Sequence, residues 1–295
     1  MTQPITPELR QWIIEQSTAG CLPESVLDAM VKAGWQAEVA ERALEQTLRD
    51  HLQQIGAGRA AAPAPATSTV GARHAIGVAV PDLALAGSPR RVDAGDREVD
   101  VIVAMGQPRV VVLGGLLSDE ECEALIAAAR PRMARSLTVE TTTGGEELNP
   151  NRTSNGMFFQ RGESELIRRI EARIERLVQW PLENGEGLQV LNYRVGAEYK
   201  PHYDYFDPAE PGTPTILQRG GQRVGTVVMY LNEPERGGGT TFPDVGLEVA
   251  PVRGNAVFFS YNRPHPSTLS LHGGAPVLEG EKWVATKWLR EREFV

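Results

Sequence analysis

The sequence predicts an α+β protein in which a small three-helix N-terminal domain precedes a larger domain whose strands form a sandwich or barrel. Apolar residues recur at helical spacing over the first 50 residues, and Ala, Pro, Gly, Ser and Thr then dominate residues 55–75. From about residue 100, helical segments are followed by many short strands that Gly and Pro interrupt. This order is typical of α+β domains. We therefore divide the chain into a helical module (1–54), a linker and lead-in (55–98) and a larger domain (99–295).

The helical module begins with a recognisable helix start. Thr6, Pro7 and Glu8 supply a capping hydroxyl, a proline in the first turn and an acid near the positive end of the helix dipole. Three apolar faces follow, made of Leu9, Trp12 and Ile13, then Val26, Leu27, Met30 and Val31, then Val39, Ala40, Ala43, Leu44 and Leu48. Three short helices with such faces can share one small core.

The larger domain opens with helices and continues as strands. Ser118 and Glu121 have the spacing of a capping box, and an amphipathic helix is predicted from about Glu163 to Trp180. Short apolar runs predict strands at Val101–Val103, Val110–Leu113, Leu188–Arg194, Val224–Leu231, Leu247–Val249, Ala256–Ser260 and Trp283–Leu289.

Composition and charge exclude several classes of protein. Apolar residues make up 41% of the 295 residues and charged residues 23%, which excludes a wholly disordered chain. The net charge is −8, whereas a protein that coats nucleic acid needs a basic surface. The sequence contains no run of about 18 apolar residues, which is the length that predicts a membrane span. We therefore expect neither nucleic-acid nor membrane binding.

The two cysteines indicate a reducing compartment. Cys21 and Cys122 lie a hundred residues apart in different predicted modules, so a disulfide framework is not expected. The first residues show no basic segment followed by an apolar core, so no secretory signal is expected either. We expect a cytoplasmic protein.

A metal site is predicted around His202 and Asp204. Two residues apart on an extended strand, their side chains point to the same face. Among the other histidines, His51 and His74 lie outside the larger domain and His265 lies between two prolines in what we expect to be a surface loop. We favour His272 as the third ligand. This residue follows a short strand that we predict at 268–271. Two histidines and one carboxylate are typical of non-haem Fe(II) oxygenases.

Six blocks of sequence resemble the prolyl 4-hydroxylase family of 2-oxoglutarate- and Fe(II)-dependent dioxygenases. They lie in the family's order between about residues 108 and 290, and they are RTSNGMFF, LNYRVGAEYKPHYD, GGQRVGTVVMYLN, GGGTTFP, RGNAVFF and SLHGGAPVLEGEKWVATKW. The resemblance implies a double-stranded β-helix, or jelly-roll, with supporting helices. It also implies Fe(II), 2-oxoglutarate and O₂ as participants and L-ascorbate as the reductant that rescues over-oxidised iron.

The same resemblance implies roles for individual residues. His202, Asp204 and His272 would bind iron, and Lys282 would pair with the distal carboxylate of 2-oxoglutarate, because a compact ammonium can neutralise one buried carboxylate. Lys287 would face the other side of the strand, since it lies an odd number of residues from Lys282. By the same resemblance, Tyr193 and Thr226 would contact the co-substrate. Arg152, Tyr199 and Trp288 would line a groove for a peptide substrate.

The resemblance defines the cofactors better than the substrate. The first hypothesis is hydroxylation of a prolyl residue in a peptide or protein. The same chemistry on a free amino acid or small metabolite is an alternative, and an oxygen-sensing interaction protein is another. The segment MVKAGW at Met30–Trp35 resembles a ubiquitin-associated three-helix module, which implies a protein partner for residues 1–54.

Overall fold

The computed structural model describes residues 5–18, 23–36, 39–44, 46–47, 78–136, 138–139, 145–147 and 151–295, so the predicted linker at 55–75 lies outside the described residues. The chain divides into two compact units, Met1–Ile76 and Gly77–Val295. The helices are α1 (Pro7–Thr18), α2 (Pro23–Lys32), α3 (39–44 and 46–47), α4 (Asp119–Ala129), α5 (Glu165–Val178) and α6 (Thr213–Ile216).

The first unit has a small apolar core. The backbone amide of Leu9 donates to the Thr6 hydroxyl at 3.3 Å, as expected of a capping residue at the start of α1. Gly34 ends the turn after α2 with a φ of +93°, a conformation that glycine adopts without steric cost. The buried core consists of Ile13, Val26, Met30, Ala40, Ala43 and Leu44.

The second unit is built on two antiparallel sheets. The larger has the order β1 (Arg91–Asp93), β2 (Glu98–Met105), β3 (Arg109–Gly114), β14 (Ala256–Ser260), β10 (Arg223–Tyr230), β17 (Lys282–Arg290), β8 (Leu188–Tyr193), β7 (Asn155–Phe159), β4 (Ala134–Arg135). The smaller has the order β13 (Leu247–Val249), β12 (Thr240–Phe242), β15 (His272–Gly274), β9 (Tyr199–His202). Two further pairs join β5 (Thr138–Val139) to β6 (Glu146–Glu147) and β11 (Arg236–Gly237) to β16 (Val277–Glu279).

The larger sheet is covered on both faces. Phe258 of β14 packs in a cluster with residues of α4 and α5, whereas its neighbours Val257 and Phe259 pack in a second cluster with Phe242 of the smaller sheet. Because side chains alternate between faces, a strand covered on both sides is apolar at consecutive positions. The two sheets facing each other across the second cluster form the predicted double-stranded β-helix.

The supporting helices are those that the sequence predicts. Ser118 accepts a hydrogen bond from the amide of Glu121 at 3.2 Å, and the Glu121 carboxylate accepts from the amide of Ser118 at 3.0 Å, which completes the capping box of α4. In α5 the predicted apolar face is buried at Ile167, Ile170, Ile174, Leu177 and Val178, and half-buried at Leu166.

The second unit begins before residue 99. Leu83 is part of the core beneath the helices, and the amide of Asp82 donates to the carbonyl of Val178 at 2.9 Å. Arg91–Asp93 forms the edge strand of the larger sheet. The lead-in at 78–98 therefore packs into the unit that carries the larger sheet.

Two local predictions near the candidate site are wrong. Residues 268–271 do not form a strand: Pro266–Thr268 is a 3-10 helix capped by the His265 side chain, and Leu269 has a φ of +54°, so the strand begins at His272. His202 and Asp204 do not share a strand, because β9 ends at His202 and Asp204 lies in the bend that follows. The predictions also missed β7, whose residues the sequence marked only as part of a motif.

Within the described part of the chain, every helix is too short or too polar to cross a membrane.

Candidate active site

Pairing within the smaller sheet brings the three predicted metal ligands together. His202 at the end of β9 lies opposite His272 at the start of β15, and their ring centroids are 4.4 Å apart. The bend after β9 turns Asp204 back between them, with its oxygens 3.6 Å from Nε2 of His202 and 3.5 Å from Nε2 of His272. Among the described residues, this is the one group of three such side chains arranged to hold a metal ion.

Backbone carbonyls orient both imidazoles. Nδ1 of His202 lies 2.9 Å from the carbonyl oxygen of Lys200, and Nδ1 of His272 lies 3.0 Å from that of Ser270. Because a carbonyl oxygen only accepts, each Nδ1 is the donor of its hydrogen bond, and each Nε2 is the ring nitrogen that faces Asp204. Burial lowers the pKa of His272 to about 4, so this ring is neutral at pH 7, as a ligand must be.

Asp204 is held as a carboxylate by its neighbours. Burial opposes its ionisation, but His272, His202 and the more distant Arg223 keep its pKa well below the ordinary value. The hydroxyl of Thr226 donates to Oδ2 of Asp204 at 2.7 Å, and it lies 3.1 Å from the hydroxyl of Tyr261. Since Thr226 uses its proton on Asp204, it accepts the proton of Tyr261. No sequence pattern indicated Tyr261, which comes from the loop after β14.

The buried ammonium of Lys282 lies at one end of the same pocket. Lys282 begins β17 opposite Tyr193 of β8, and its side chain is 4% exposed. Its Nζ lies 5.6 Å from the Tyr193 ring centroid and 5.7 Å from that of Tyr230. No described residue forms an ion pair or hydrogen bond with this Nζ. Burial lowers the pKa of Lys282 to about 8, although the charge of Glu248 acts in the opposite direction, as expected for a buried ammonium without a direct ion-pair partner.

Lys287 lies on the opposite face of β17, as the odd spacing predicts. Its Nζ lies 2.5 Å from Oε1 of Glu171 in α5, and both side chains are buried. A buried lysine with a carboxylate partner has its charge satisfied within the protein. Lys282 is therefore the buried lysine of this strand whose charge is available to a ligand in the pocket.

These donors fit iron and 2-oxoglutarate. Two neutral imidazoles and one carboxylate are the ligand set of non-haem Fe(II) sites, and the second hydrogen bond of each imidazole fixes its direction. An ammonium without a direct ion-pair partner fits a carboxylate at the far end of a dicarboxylic co-substrate. His202, Asp204 and His272 could thus hold the metal, and Lys282 could hold the co-substrate.

Arg152 and Tyr199 reach the site through the edge of the smaller sheet. Residues 151–153 run antiparallel along β9, with the amide of Lys200 donating to the carbonyl of Asn151 at 3.0 Å. The Tyr199 ring stacks on His202 with centroids 3.6 Å apart, and the Arg152 guanidinium lies 5.1 Å from the centre of the Tyr199 ring. Arg152 also donates to Oε1 of Gln189 at 2.6 Å.

Trp288 lies further along β17, opposite Thr226 of β10 in the strand register. The Cζ of Arg223 lies 4.1 Å from the centre of the indole, and Arg223 makes two hydrogen bonds to Glu186 at 2.7 and 3.0 Å. Sequence reasoning missed Arg223 and Glu186, because nothing in their local pattern indicates that the two charges meet in the interior.

All nine predicted site residues line one pocket between the two sheets. The pocket runs along β17 from Lys282 to Trp288, and its lining includes Arg152, Tyr193, Tyr199, His202, Asp204, Thr226, His272, Lys282 and Trp288. Six residues of extended strand span about 20 Å, so Lys282 and Trp288 lie at well-separated positions along the lining of the pocket.

Comparison with known proteins gives consistent results. The 2OG-Fe(II) oxygenase superfamily matches residues 188–290. Prolyl 4-hydroxylase 5 of Arabidopsis thaliana is 43% identical over 221 residues, covering 68% of this chain and 74% of the relative. Probable prolyl 4-hydroxylase 8 of the same plant is 41% identical over 221 residues, with the same coverage of 68% and 74%.

A solved structure with similar sequence is the viral collagen prolyl hydroxylase from Paramecium Bursaria Chlorella virus-1 in its 2OG complex. It is 30% identical, with a TM-score of 0.48, and the match covers 61% of this chain and 95% of that one. Given the extent and identity of the matches to the plant proteins, the chain belongs to the prolyl 4-hydroxylase family of 2-oxoglutarate- and Fe(II)-dependent dioxygenases.

Proposed function

We propose that the protein hydroxylates a prolyl residue within a peptide or protein. The observation that carries this proposal is the single pocket that joins a His-Asp-His cluster, a buried lysine and an aromatic surface at Tyr199 and Trp288. Prolyl rings are apolar, and they pack well on the flat faces of aromatic side chains. The names of the plant relatives support the same substrate class.

In this proposal, His202, Asp204 and His272 are the iron ligands. The three side chains have fixed orientations toward the metal position, because carbonyl oxygens orient both imidazoles and Thr226 orients the carboxylate. Bound Fe(II), together with 2-oxoglutarate and O₂, supplies the oxidation of an aliphatic C–H bond, and the co-substrate leaves as succinate and CO₂.

Lys282 then anchors the distal carboxylate of 2-oxoglutarate, and Tyr193 and Thr226 line the cavity around it. Arg152 is a candidate donor to carbonyl groups of the peptide, while Tyr199 and Trp288 contact the prolyl ring. The low polarity between the two sheets strengthens each charge interaction and excludes water from the reacting carbon.

Four further points belong to the proposal. L-Ascorbate is the expected reductant of over-oxidised iron, as the family resemblance implies. A cytoplasmic location is supported by Cys122, which is a buried free thiol. A protein partner of residues 1–54 is supported by the small helical module and its ubiquitin-associated-like segment. The acidic net charge of −8 supports the absence of nucleic-acid binding.

The test is succinate formation by the purified protein with Fe(II), 2-oxoglutarate and ascorbate, with and without proline-rich peptides. We expect succinate that the peptide stimulates and a gain of one oxygen on proline by mass spectrometry, both lost in His272→Ala. Succinate that free amino acids or metabolites stimulate, but peptides do not, would replace the polymeric substrate with a small molecule. Iron binding without succinate under any condition would favour an oxygen-sensing interaction protein.

A further inference from the structure

Phe158 is an exposed aromatic residue on the pocket face of the larger sheet. Its side chain is 41% exposed, whereas its neighbours Met157 and Phe159 are buried in the core beneath the helices. Because faces alternate along a strand, Phe158 points away from that core. In the register of β7 and β8 it lies opposite Gln189, the residue that Arg152 contacts in the pocket.

Phe158 continues the aromatic lining of the pocket outward. Its ring centroid lies 6.5 Å from that of Trp288, with 38° between the ring planes. The Trp288 ring is itself fixed, since Arg223 lies against it and Glu186 holds Arg223 by two hydrogen bonds. The two rings therefore form a preformed apolar surface at the end of the pocket away from Lys282.

The indole of Trp288 also carries an unused donor. Its Nε1 is buried and forms no hydrogen bond with any described residue. A buried N–H without a partner is a free-energy cost to the folded protein. A carbonyl group of an incoming polypeptide that reaches this N–H recovers that cost.

We propose that Phe158 forms a subsite for a prolyl or other apolar residue located two positions from the hydroxylated proline of the substrate chain, and that Trp288 contacts the hydroxylated proline itself. This inference rests on the proposed function. The distance carries the assignment: two residues of an extended or polyproline II chain span about 6–7 Å, which matches the 6.5 Å between the two rings. An aromatic pair that accepts a ring in a preformed extended chain selects proline-rich sequences.

The experiment uses the full-length protein and two sets of peptides, each with one target proline. In one set the residues two positions away on either side are proline, and in the other they are aspartate. Peptide binding is measured by fluorescence anisotropy with a labelled peptide, and turnover by oxygen gain on the target proline. The variants are Phe158→Ala and Phe158→Leu, with Ile102→Ala as the control, because Ile102 is 54% exposed on β2 of the same sheet.

We expect Phe158→Ala to weaken binding of the proline-flanked peptides by about five- to tenfold. Their KM rises by the same factor with kcat unchanged, and the aspartate-flanked peptides show no change. Phe158→Leu has a smaller effect and Ile102→Ala has none. Uncoupled turnover of 2-oxoglutarate stays at the wild-type rate in every variant.

The inference is overturned if Phe158→Ala weakens both peptide sets equally, changes neither, or if no peptide of either set binds. The proposed function fails in a different way, through binding that depends on Phe158 without any oxygen gain on proline. That second outcome would support the subsite and would contradict the proposal that the protein hydroxylates proline.

Discussion

Strand β17 carries two buried lysines whose surroundings predict opposite effects of the same substitution. Lys282 is 4% exposed and forms no ion pair within the described part of the chain. Lys287 is 2% exposed and pairs with the buried carboxylate of Glu171 at 2.5 Å. We predict that Lys282→Met stabilises the protein without 2-oxoglutarate and abolishes tight binding of that co-substrate, whereas Lys287→Met does neither.

The expected gain in stability follows from the pKa of Lys282. A fall from 10.5 to about 8 corresponds to about 3 kcal/mol in favour of the neutral form. The unfolded chain binds the proton more tightly than the folded protein, so stability rises with pH between about 8 and 10.5. Below pH 8 the full cost of the buried ammonium is present. Lys282→Met removes that cost and should raise the free energy of unfolding at pH 7 by up to about 3 kcal/mol.

The expected loss of co-substrate affinity has the same origin. Removing one partner of a buried, hydrogen-bonded charge pair costs about 2–5 kcal/mol, which corresponds to about a 30-fold or larger rise in the KM for 2-oxoglutarate. In the unsubstituted protein that KM should also rise as the pH passes about 8, since free Lys282 loses its proton there. Iron binding should be unaffected in Lys282→Met.

The assays are urea denaturation at pH 7 without co-substrate and succinate formation against 2-oxoglutarate concentration. Lys287→Met is the matched control. It leaves the carboxylate of Glu171 buried without its lysine, so we expect a loss of about 3–5 kcal/mol and an unchanged KM. An unchanged KM in Lys282→Met would refute its role as the anchor. A loss of stability in Lys282→Met would contradict the cost assigned to its buried ammonium.

Three further predictions concern the metal site and the two units. Thr226→Val removes the donor to Asp204 and should weaken Fe(II) binding about 10- to 100-fold in competition with a chelator, while Thr226→Ser retains it; equal affinity in both would contradict the role of this hydroxyl. Gly273→Ala places a Cβ 2.9 Å from the Tyr199 carbonyl oxygen, so it should separate β9 from β15 and lower iron affinity in the same assay; wild-type affinity would mean that the strands adjust. Deletion of residues 1–54 should leave uncoupled 2-oxoglutarate turnover intact, and its loss would mean that the helical module is needed by the catalytic unit.

Much of the fold was predictable because local patterns record it. The capping box at Ser118 and the apolar face of α5 involve residues within one or two turns of each other, and their geometry is nearly independent of the rest of the chain. The strands that are buried on both faces, such as β14, are apolar at consecutive positions. The start of the strand at His272 was harder to predict, because Leu269 adopts a left-handed conformation that no residue type in the segment indicates.

The candidate site was predictable to the extent that its residues belong to motifs. His202, Asp204, His272 and Lys282 stand at spacings that the family resemblance connects, and the structure brings them to one pocket. The residues that support them were not predictable. Tyr261 and the pair formed by Arg223 and Glu186 contact the site from loops and strand ends that are distant in the sequence.

The sequence by itself determined which chemistry is available and which face of each strand carries it. Even and odd positions on β17 separate Lys282 from Lys287, because side chains alternate along any extended strand. Only the tertiary structure decided which of those lysines has a counter-charge, since Glu171 comes from a helix more than a hundred residues earlier. It also decided that a bend, rather than a strand, turns Asp204 toward two histidines. Local spacing is a property of the backbone, whereas the partner of a buried charge depends on how distant segments pack.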